Sequence, residues 1–266
     1  MRSRPSRHES ATASHYADAL GSVAHVIEKP LERRVACSRR GAAEVPQRTM
    51  IQFSNVFKFY RTESHRKVIL DHVSTVFEQG WSYGLLGVNG AGKSTTMRLI
   101  AGTEMPNSGR VRRSTRVSWP LGFAGGFDPL MTGRENVHFV ARIYGEDAYK
   151  VSRFVEEFAE IGDYINEPVK TYSSGMMARL AFGLSMAIEF ECYLIDEVTA
   201  VGDARFQSRC EEVFRRRREN TDLIVISHSM ATIKSFCSRG AVLVDGRLMM
   251  FKEVDQAIEM YNRLNR

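Results

Sequence analysis

A glycine-rich run of eight residues carries the clearest chemical signal in the chain. Gly87–Ser94, with the sequence GVNGAGKS, fits the spacing of a phosphate-binding loop at every fixed position. Glycines let consecutive backbone N–H groups point into one concavity, where a Cβ would block a phosphate. An apolar run precedes the loop, and the helix-forming Thr95–Ala101 follows it. We therefore predict that the loop binds nucleotide phosphates, with Lys93 on the β- and γ-phosphates and Ser94 on Mg²⁺.

Two acidic residues end a second apolar run. Cys192–Ile195 is followed directly by Asp196 and Glu197. An acid at the carboxyl end of a strand can hold Mg²⁺ through water, and a neighbouring carboxylate can polarise an attacking water. Taken alone, the pair would be interpreted as a solvated strand end. Together with the phosphate-binding loop, it predicts nucleotide hydrolysis, with Asp196 on the metal and Glu197 as the catalytic acceptor.

Two more segments could contribute to phosphate chemistry. Tyr172–Met176, with the sequence YSSGM, stands before a predicted helix, where two hydroxyls and a glycine can bind an anion or simply cap the helix. His228 follows the buried-strand pattern of Leu223–Ile226. A lone histidine in this position is more often structural, but its place after the Asp196 strand makes it a candidate for the site.

The elements that must position these residues alternate along the chain from Met50. Apolar runs predict strands at Met50–Phe53, Val73–Phe77, Ser82–Leu86, Tyr193–Ile195, Leu223–Ile226 and Ala241–Val244. The runs ending at Leu86, Ile195 and Ile226 are typical of buried parallel strands, and Asp245-Gly246 indicates a hairpin. Helices are predicted after a capping box at Thr132, from Val151 to a stop at Gly162, from Met177 to Ile188, and over Glu253–Leu264.

Composition limits the class of protein. The chain has 266 residues, of which 43% are apolar and 26% charged, which predicts one large domain or one domain with a tail. Its four cysteines are scattered without a Cys-x-x-Cys pair, which argues against a metal or disulfide framework. No apolar segment is long enough to span a bilayer, so any transport path would have to be formed by another chain.

The positive charge is concentrated in the first 49 residues. They hold nine Lys and Arg against five acids, so they carry +4 of the net +6 and leave +2 on the remaining 217 residues. A nearly neutral body argues against nucleic-acid binding. We expect residues 1–49 to be a disordered extension without a part in the chemistry, and translation from Met50 stays an alternative. Acidic residues and the lack of an amphipathic stripe disfavour a transit peptide.

Residues 50–266 resemble the ATP-binding subunit of an ABC transporter. The motifs stand in the family's order: the phosphate-binding loop, YSSGM in place of the signature sequence LSGGQ, the Asp196-Glu197 pair, a D-loop with Asp203, and a switch histidine at His228. The resemblance implies an α/β fold of the P-loop NTPase type, with a mixed sheet, a helical subdomain at about 130–190 and a small antiparallel β subdomain.

The resemblance also implies a mechanism and a set of site residues. Two copies would meet head to tail around ATP, so that the signature of one faces the phosphate loop of the other. The permease would be a separate integral-membrane chain, which places this subunit on the cytoplasmic face of the inner membrane. Nucleotide-binding positions carried over from the family are Tyr60, which would stack on adenine, and Gly87, Asn89, Gly90, Gly92, Lys93, Ser94, Thr95, Ser173, Gly175 and Asp203.

A narrower resemblance concerns the substrate. Residues 118–127 and 130–136, together with the YSSGM variant, are similar to exporters of capsular polysaccharide. Exporters of teichoic acid, O-antigen or lipid-linked oligosaccharide, and a soluble ABC ATPase acting on ribosomes or DNA, remain alternatives. The family's usual glutamine between core and helical block is missing, because residues 80–206 contain no Gln. Asp128 stands at or near that place and is a candidate metal ligand.

Overall fold

Two β-sheets and a group of helices make up the described part of the chain. The computed structural model describes residues 48–61, 65–121, 126–196, 205–206, 208–210, 212–213, 221–227 and 229–265. Its strands are β1 Thr49–Arg61, β2 Arg66–Glu78, β3 Tyr83–Leu86, β4 Ser108–Arg113, β5 Val117–Pro120, β6 Cys192–Asp196, β7 Asp222–Ile226, β8 Arg239–Val244 and β9 Arg247–Phe251. Its α-helices are α1 Lys93–Ala101, α2 Gly133–Ile143, α3 Ala148–Ala159, α4 Ser174–Ala187, α5 Met230–Phe236 and α6 Val254–Leu264.

The larger sheet has six strands in the order β5-β6-β7-β3-β8-β9. All its neighbouring pairs are parallel except β8 with β9. Strand β3 is buried along its whole length, as is most of β6 and β7, which confirms the prediction of buried parallel strands. Because these strands run in one direction, their carboxyl ends lie along one edge of the sheet.

A smaller antiparallel sheet with the order β2-β1-β4 covers one face of the larger sheet. Side chains of both sheets and of α1 share a core that includes Met50, Phe53, Phe77, Tyr83, Leu85 and Met97. On the opposite face, Leu86 joins a second core formed with α2 to α6. Successive residues of β3 therefore supply both cores, and the expected fold class, a mixed α/β sheet with a small antiparallel part, is confirmed.

The hairpin between β8 and β9 confirms the Asp-Gly prediction. Asp245 and Gly246 both have positive φ angles, 45° and 76°, as a two-residue turn that matches the strand twist requires. The Gly246 carbonyl accepts a hydrogen bond of 2.8 Å from the Asp71 N–H group on β2. This bond links the hairpin of the larger sheet to the smaller sheet.

Several strands differ from the sequence prediction. Strand β1 continues to Arg61 and β2 begins at Arg66, well outside the short apolar runs that indicated them. Strand β4, with the sequence SGRVRR, and the four-residue β5 were not predicted at all. Strand β4 lies at the edge of its sheet and is mostly exposed, so it needs no apolar pattern.

The predicted helices are all present, with one wrong end, and the short helix α5 was not predicted. The capping box is present at Thr132, whose hydroxyl accepts from the Glu135 N–H group while the Glu135 carboxylate accepts from the Thr132 N–H group. The predicted stop of α3 at Gly162 is wrong. The helix ends at Ala159, and Glu160 takes the left-handed conformation with a φ of 49°. Its carboxylate lies 2.6 Å from Arg209 Nη1.

The helix that follows the phosphate-binding loop is held at its far end by Arg113. Helix α1 ends at Ala101 and is followed by the C-cap Gly102, which has a φ of 84°. Arg113 donates from Nε to the Ile100 carbonyl at 2.6 Å, and from Nη2 to the Leu99 carbonyl. Its burial lowers the pKa of the guanidinium to about 10. The cation thus satisfies last-turn carbonyls at the negative end of the helix dipole.

We expect Arg113→Ala to lower the free energy of unfolding by ~1–3 kcal/mol, because it leaves partly buried carbonyls without a donor. Urea unfolding followed by circular dichroism measures this. The exposed neighbour Arg112 supplies the control, since Arg112→Ala should cost about 0.5 kcal/mol or less. Equal losses in the two variants would contradict the role of Arg113.

Candidate nucleotide-binding site

The loop Gly87–Ser94 follows β3 and forms a concave turn of backbone. Gly90 and Gly92 have φ angles of 77° and 108°, which L-residues with a side chain rarely adopt. A Cβ on Gly87 would lie only 2.7 Å from the Leu243 carbonyl oxygen of β8, and one on Gly92 would overlap the Ile69 side chain. The loop is thus packed from behind by β2 and β8, which leaves its open side for a ligand.

The loop combines a cationic side chain, that of Lys93, with the N-terminus of helix α1. The Lys93 ammonium donates to the carbonyls of Gly87 and Val88 at 2.7 and 3.2 Å. Helix α1 begins at Lys93 after the left-handed Gly92, which has no side chain to cap the helix, and its first turn contains no acidic residue. Backbone N–H groups and a positive dipole end therefore face outward, beside the exposed Ser94.

Asp196 lies at the same edge of the sheet as the loop. It ends β6 and pairs in register with Ile226 of β7, while Gly84 of β3 pairs with Val225. Strand β7 therefore separates β3 from β6, and Asp196 is level with Leu85 at a distance of about 10 Å, two spacings of about 4.8 Å.

Tyr60 is brought to the helix after the loop by the smaller sheet. It stands near the end of β1, is 38% exposed, and its hydroxyl lies 3.4 Å from Thr95 Oγ1. The same hydroxyl donates to Glu104 and accepts a 3.2 Å bond from Arg98 Nη2. The structure thus places Tyr60 next to the loop, in contact with the Thr95 side chain. The same Thr95 side chain also contacts Arg98.

The residues that hold Tyr60 were not found from the sequence. Lys58 Nζ lies 2.7 Å from Glu104 Oε1 and 5.1 Å from the centre of the Tyr60 ring, and Arg98 Nε lies 2.9 Å from Glu104 Oε2. Burial acts to raise the pKa of Glu104, but hydrogen bonds from Lys58, Tyr60 and Arg98 outweigh it and keep the pKa below its ordinary value. The sequence signal that could have indicated this group is the alternation of Lys58 and Tyr60 along one strand, which places both side chains on the same face of that strand.

Asp128 lies in a short turn before α2, the Asp128 loop (residues 128–133). Strand β5 ends at the edge that carries the phosphate loop, and Asp128 follows it eight residues later in the sequence. Asp128 Oδ1 accepts from the Leu130 N–H group at 2.9 Å. The buried Asn136 accepts from the Asp128 N–H group at 2.8 Å and donates to the Asp128 and Thr132 carbonyls, each at 3.0 Å. No sequence pattern indicated this role of Asn136.

The YSSGM segment opens α4 in the helical block. Ser173 is the N-cap, and its hydroxyl accepts from the Met176 N–H group at 3.2 Å. Apart from its two chain neighbours and the backbone of α4 itself, a Cβ on Gly175 would come no nearer to a described atom than 3.9 Å, at Ser173 Oγ. Within the described part of the protomer, nothing in the packing requires a glycine here.

Part of the predicted site lies outside the described residues. These positions are Glu197, Asp203 and His228. The residues before two of them are described, and Asp196 and Ser227 stand at the carboxyl ends of the neighbouring strands β6 and β7. Among the described residues, no helix has the length and apolar character needed to cross a bilayer.

Known sequences match the chain over this region. The family described as "ABC transporter" matches residues 70–200. The ATP-binding protein BexA of Haemophilus influenzae is 47% identical over 80% of this chain and 98% of its own length. The capsule polysaccharide export ATP-binding protein CtrD of Neisseria meningitidis is 47% identical over 81% of this chain and 100% of its own.

Solved structures agree on the fold. A dimeric post-hydrolysis structure of the ATP-binding cassette MJ0796, bound to ADP and Pi, superposes with a TM-score of 0.62 at 19% identity, covering 77% of this chain and 99% of that one. The phosphate loop, the acid at the end of β6 and the close full-length relatives converge on one conclusion. The chain belongs to the ABC transporter family, as one of its ATP-binding and ATP-hydrolysing proteins.

Proposed function

We propose that the chain is the ATP-hydrolysing subunit of an exporter that moves capsular or a similar cell-surface polysaccharide across the inner membrane. The observation that carries this proposal is the level of identity to relatives named for such export. CtrD and the polysialic acid transport protein KpsT of Escherichia coli are 47% and 46% identical over nearly their whole lengths. O-antigen and teichoic-acid export proteins are more distant, at 34% and 32%.

ATP would bind with its phosphates in the loop and its base beside Tyr60. The N–H groups of the loop and of the first turn of α1 would surround the phosphates, because they face outward at the positive end of the helix. The Lys93 ammonium would donate hydrogen bonds to phosphate oxygens in place of the loop carbonyls, because the phosphate oxygens carry negative charge. Residues assigned to the nucleotide are Tyr60, Gly87, Asn89, Gly90, Gly92, Lys93, Ser94 and Thr95.

Ser94 and Asp196 suit Mg²⁺ because the ion prefers oxygen ligands and keeps several waters. The exposed Ser94 hydroxyl stands beside the phosphate loop, and Asp196 lies across β7 from it. Once bound, Mg²⁺ would neutralise charge that develops on the phosphates. Asp128 is a further candidate ligand, and its backbone is held in place by Asn136.

Glu197 and His228 would supply the remaining chemistry of hydrolysis. Glu197 follows the carboxyl end of β6, and His228 comes soon after that of the neighbouring β7. Both segments therefore emerge at the edge of the sheet that carries the phosphate loop. Glu197 would accept a proton from the attacking water and orient it, and His228 would contact the γ-phosphate.

A second copy of the chain would complete each site. Ser173 and Gly175 would contact the γ-phosphate held by the partner's loop, and Asp203 would lie at the seam. The open space at Gly175 supports this assignment, because a glycine that the protomer's own described packing does not need is suited to close approach by another molecule. The relative MJ0796 is dimeric in its solved structures.

A separate permease would provide the path through the membrane, with this subunit bound on its cytoplasmic side and working with the rest of the polysaccharide export machinery. No described helix could cross a bilayer, and the aligned export relatives are named as ATP-binding proteins. In this proposal residues 50–266 form the ATP-binding domain, while residues 1–49 take no part in the chemistry.

We expect Lys93→Ala to weaken binding of a fluorescent ATP analogue roughly 10- to 100-fold, since it removes a charged hydrogen-bond donor from the phosphates. Fluorescence titration of the purified protein measures the dissociation constant. Lys150→Ala removes an exposed lysine from α3 and should bind the analogue as the wild type does. Unchanged affinity in Lys93→Ala would remove this residue from the site.

Glu197→Gln should lower ATP turnover by at least about 100-fold and leave ATP binding intact, because the amide cannot accept the proton of the attacking water. Phosphate release measures turnover, and sedimentation velocity should detect an ATP-dependent dimer of this variant. Normal turnover would exclude Glu197 as the acceptor.

Deletion of the gene in its own organism tests the exported substrate. We expect capsular polysaccharide to disappear from the cell surface and to accumulate inside, as measured by surface and whole-cell glycan immunoassay. The wild-type gene should restore export, and the gene for Glu197→Gln should not. Normal capsule with loss of surface O-antigen or teichoic acid would replace the proposed substrate by that polymer.

A further inference from the structure

The segment that leads into α4 is joined to the Asp128 loop by backbone hydrogen bonds. This signature lead-in (residues 167–172) donates from the Val169 N–H group to the Met131 carbonyl and from the Lys170 N–H group to the Pro129 carbonyl, each at 3.0 Å. A third bond of 3.3 Å runs from the Gly133 N–H group to the Glu167 carbonyl. The two segments therefore pair with each other although they lie more than thirty residues apart in the sequence.

Tyr172 adds a side-chain contact at the end of this pairing. Its hydroxyl donates to the Tyr164 carbonyl at 2.6 Å, and its ring covers Gly133, the first residue of α2. A Cβ on Gly133 would overlap the Tyr172 hydroxyl oxygen and lie 3.2 Å from both Cζ of Tyr172 and Cδ1 of Ile165. The backbone of Gly133 does not require glycine, because its φ is not positive. The Tyr172 hydroxyl group is thus the main reason that no side chain fits at this position.

The start of α2 is in turn fixed to Asp128. Asn136, one turn into this helix, is 1% exposed and exchanges hydrogen bonds in both directions with the Asp128 backbone. A continuous set of contacts therefore runs from Asp128 through α2 and Tyr172 to Ser173, the N-cap of α4.

We propose that Tyr172 and Gly133 form a positioning lock, which holds the signature serine Ser173 in a fixed place relative to the Asp128 loop. This inference rests on the proposed function, in which Ser173 contacts the nucleotide of the partner. Tyr172 is a positioning residue in this scheme and touches no nucleotide.

The lock affects the trans contact, in which Ser173 meets the nucleotide bound by the partner. It does not affect the cis site, in which the protomer binds its own nucleotide. Binding of nucleotide to a single protomer depends on Lys93 and the loop around it, which the lock residues do not contact. Loss of the lock should therefore impair ATP-driven dimerisation while affinity for ADP in the monomer stays the same. A substitution that merely loosens the fold would lower both, together with the thermal midpoint.

The test compares Gly133→Ala, Tyr172→Leu and the double variant, all in the Glu197→Gln background. Sedimentation velocity gives the ATP concentration at half-dimerisation, and fluorescent ADP gives cis affinity. We expect Gly133→Ala to raise the half-dimerisation concentration about tenfold, a factor typical of one lost contact. The double variant should match Tyr172→Leu alone, because the shorter side chain leaves room for the added methyl group. Tyr164→Phe, which alters only an exposed side chain, should behave as the parent.

The lock would be overturned if Gly133→Ala and Tyr172→Leu have independent effects on dimerisation. It would also be overturned if neither substitution alters dimerisation. If Gly133→Ala does not fold, Tyr172→Phe decides, because it keeps the ring and loses the hydroxyl. Weaker dimerisation with unchanged ADP affinity would support the lock, and unchanged dimerisation would overturn it. If the Glu197→Gln parent itself fails to dimerise with ATP, the proposed trans site is wrong, which is a different outcome.

Discussion

Outward-facing N–H groups at the start of α1 are the feature on which the rest of the structure depends. A phosphate can use these groups only if nothing in the protomer already occupies them, so the turn into α1 contains glycines and its first turn contains no acid. The loop must then be held entirely from behind. Leu243 on β8 and Ile69 on β2 provide this support, and each would collide with a side chain added to the loop. The open cradle therefore requires both sheets.

The same parallel sheet explains why the other chemical groups assemble at one edge. Strands β3, β6 and β7 run in the same direction, so the phosphate loop, Asp196 and the segment after Ile226 all emerge side by side. The insertion of β7 between β3 and β6 sets the spacing between the loop and Asp196. Carboxylates at that distance can share a metal ion with bound phosphates without filling the phosphate cradle itself.

Besides the apolar core that it shares with the larger sheet, the helical block is held by directional hydrogen bonds at the Asp128 loop. The Asp128 loop is held by Asn136 on one side and by the signature lead-in on the other. Hydrogen bonds that pair two turns in this way fix the position of one relative to the other more firmly than apolar packing would, because they are directional.

Local chemistry allowed the sequence by itself to determine the phosphate loop, the acid that ends β6, the capping box of α2 and the hairpin at Asp245. Each depends on neighbouring residues whose backbone conformation or hydrogen bonds are set within one turn of chain. Tertiary structure alone decided that Tyr60 contacts Thr95, that Asn136 holds Asp128, that Tyr172 covers Gly133, and that the polar edge strand β4 exists. These features depend on contacts between segments distant in sequence, and no local pattern of residue types encodes a distant partner.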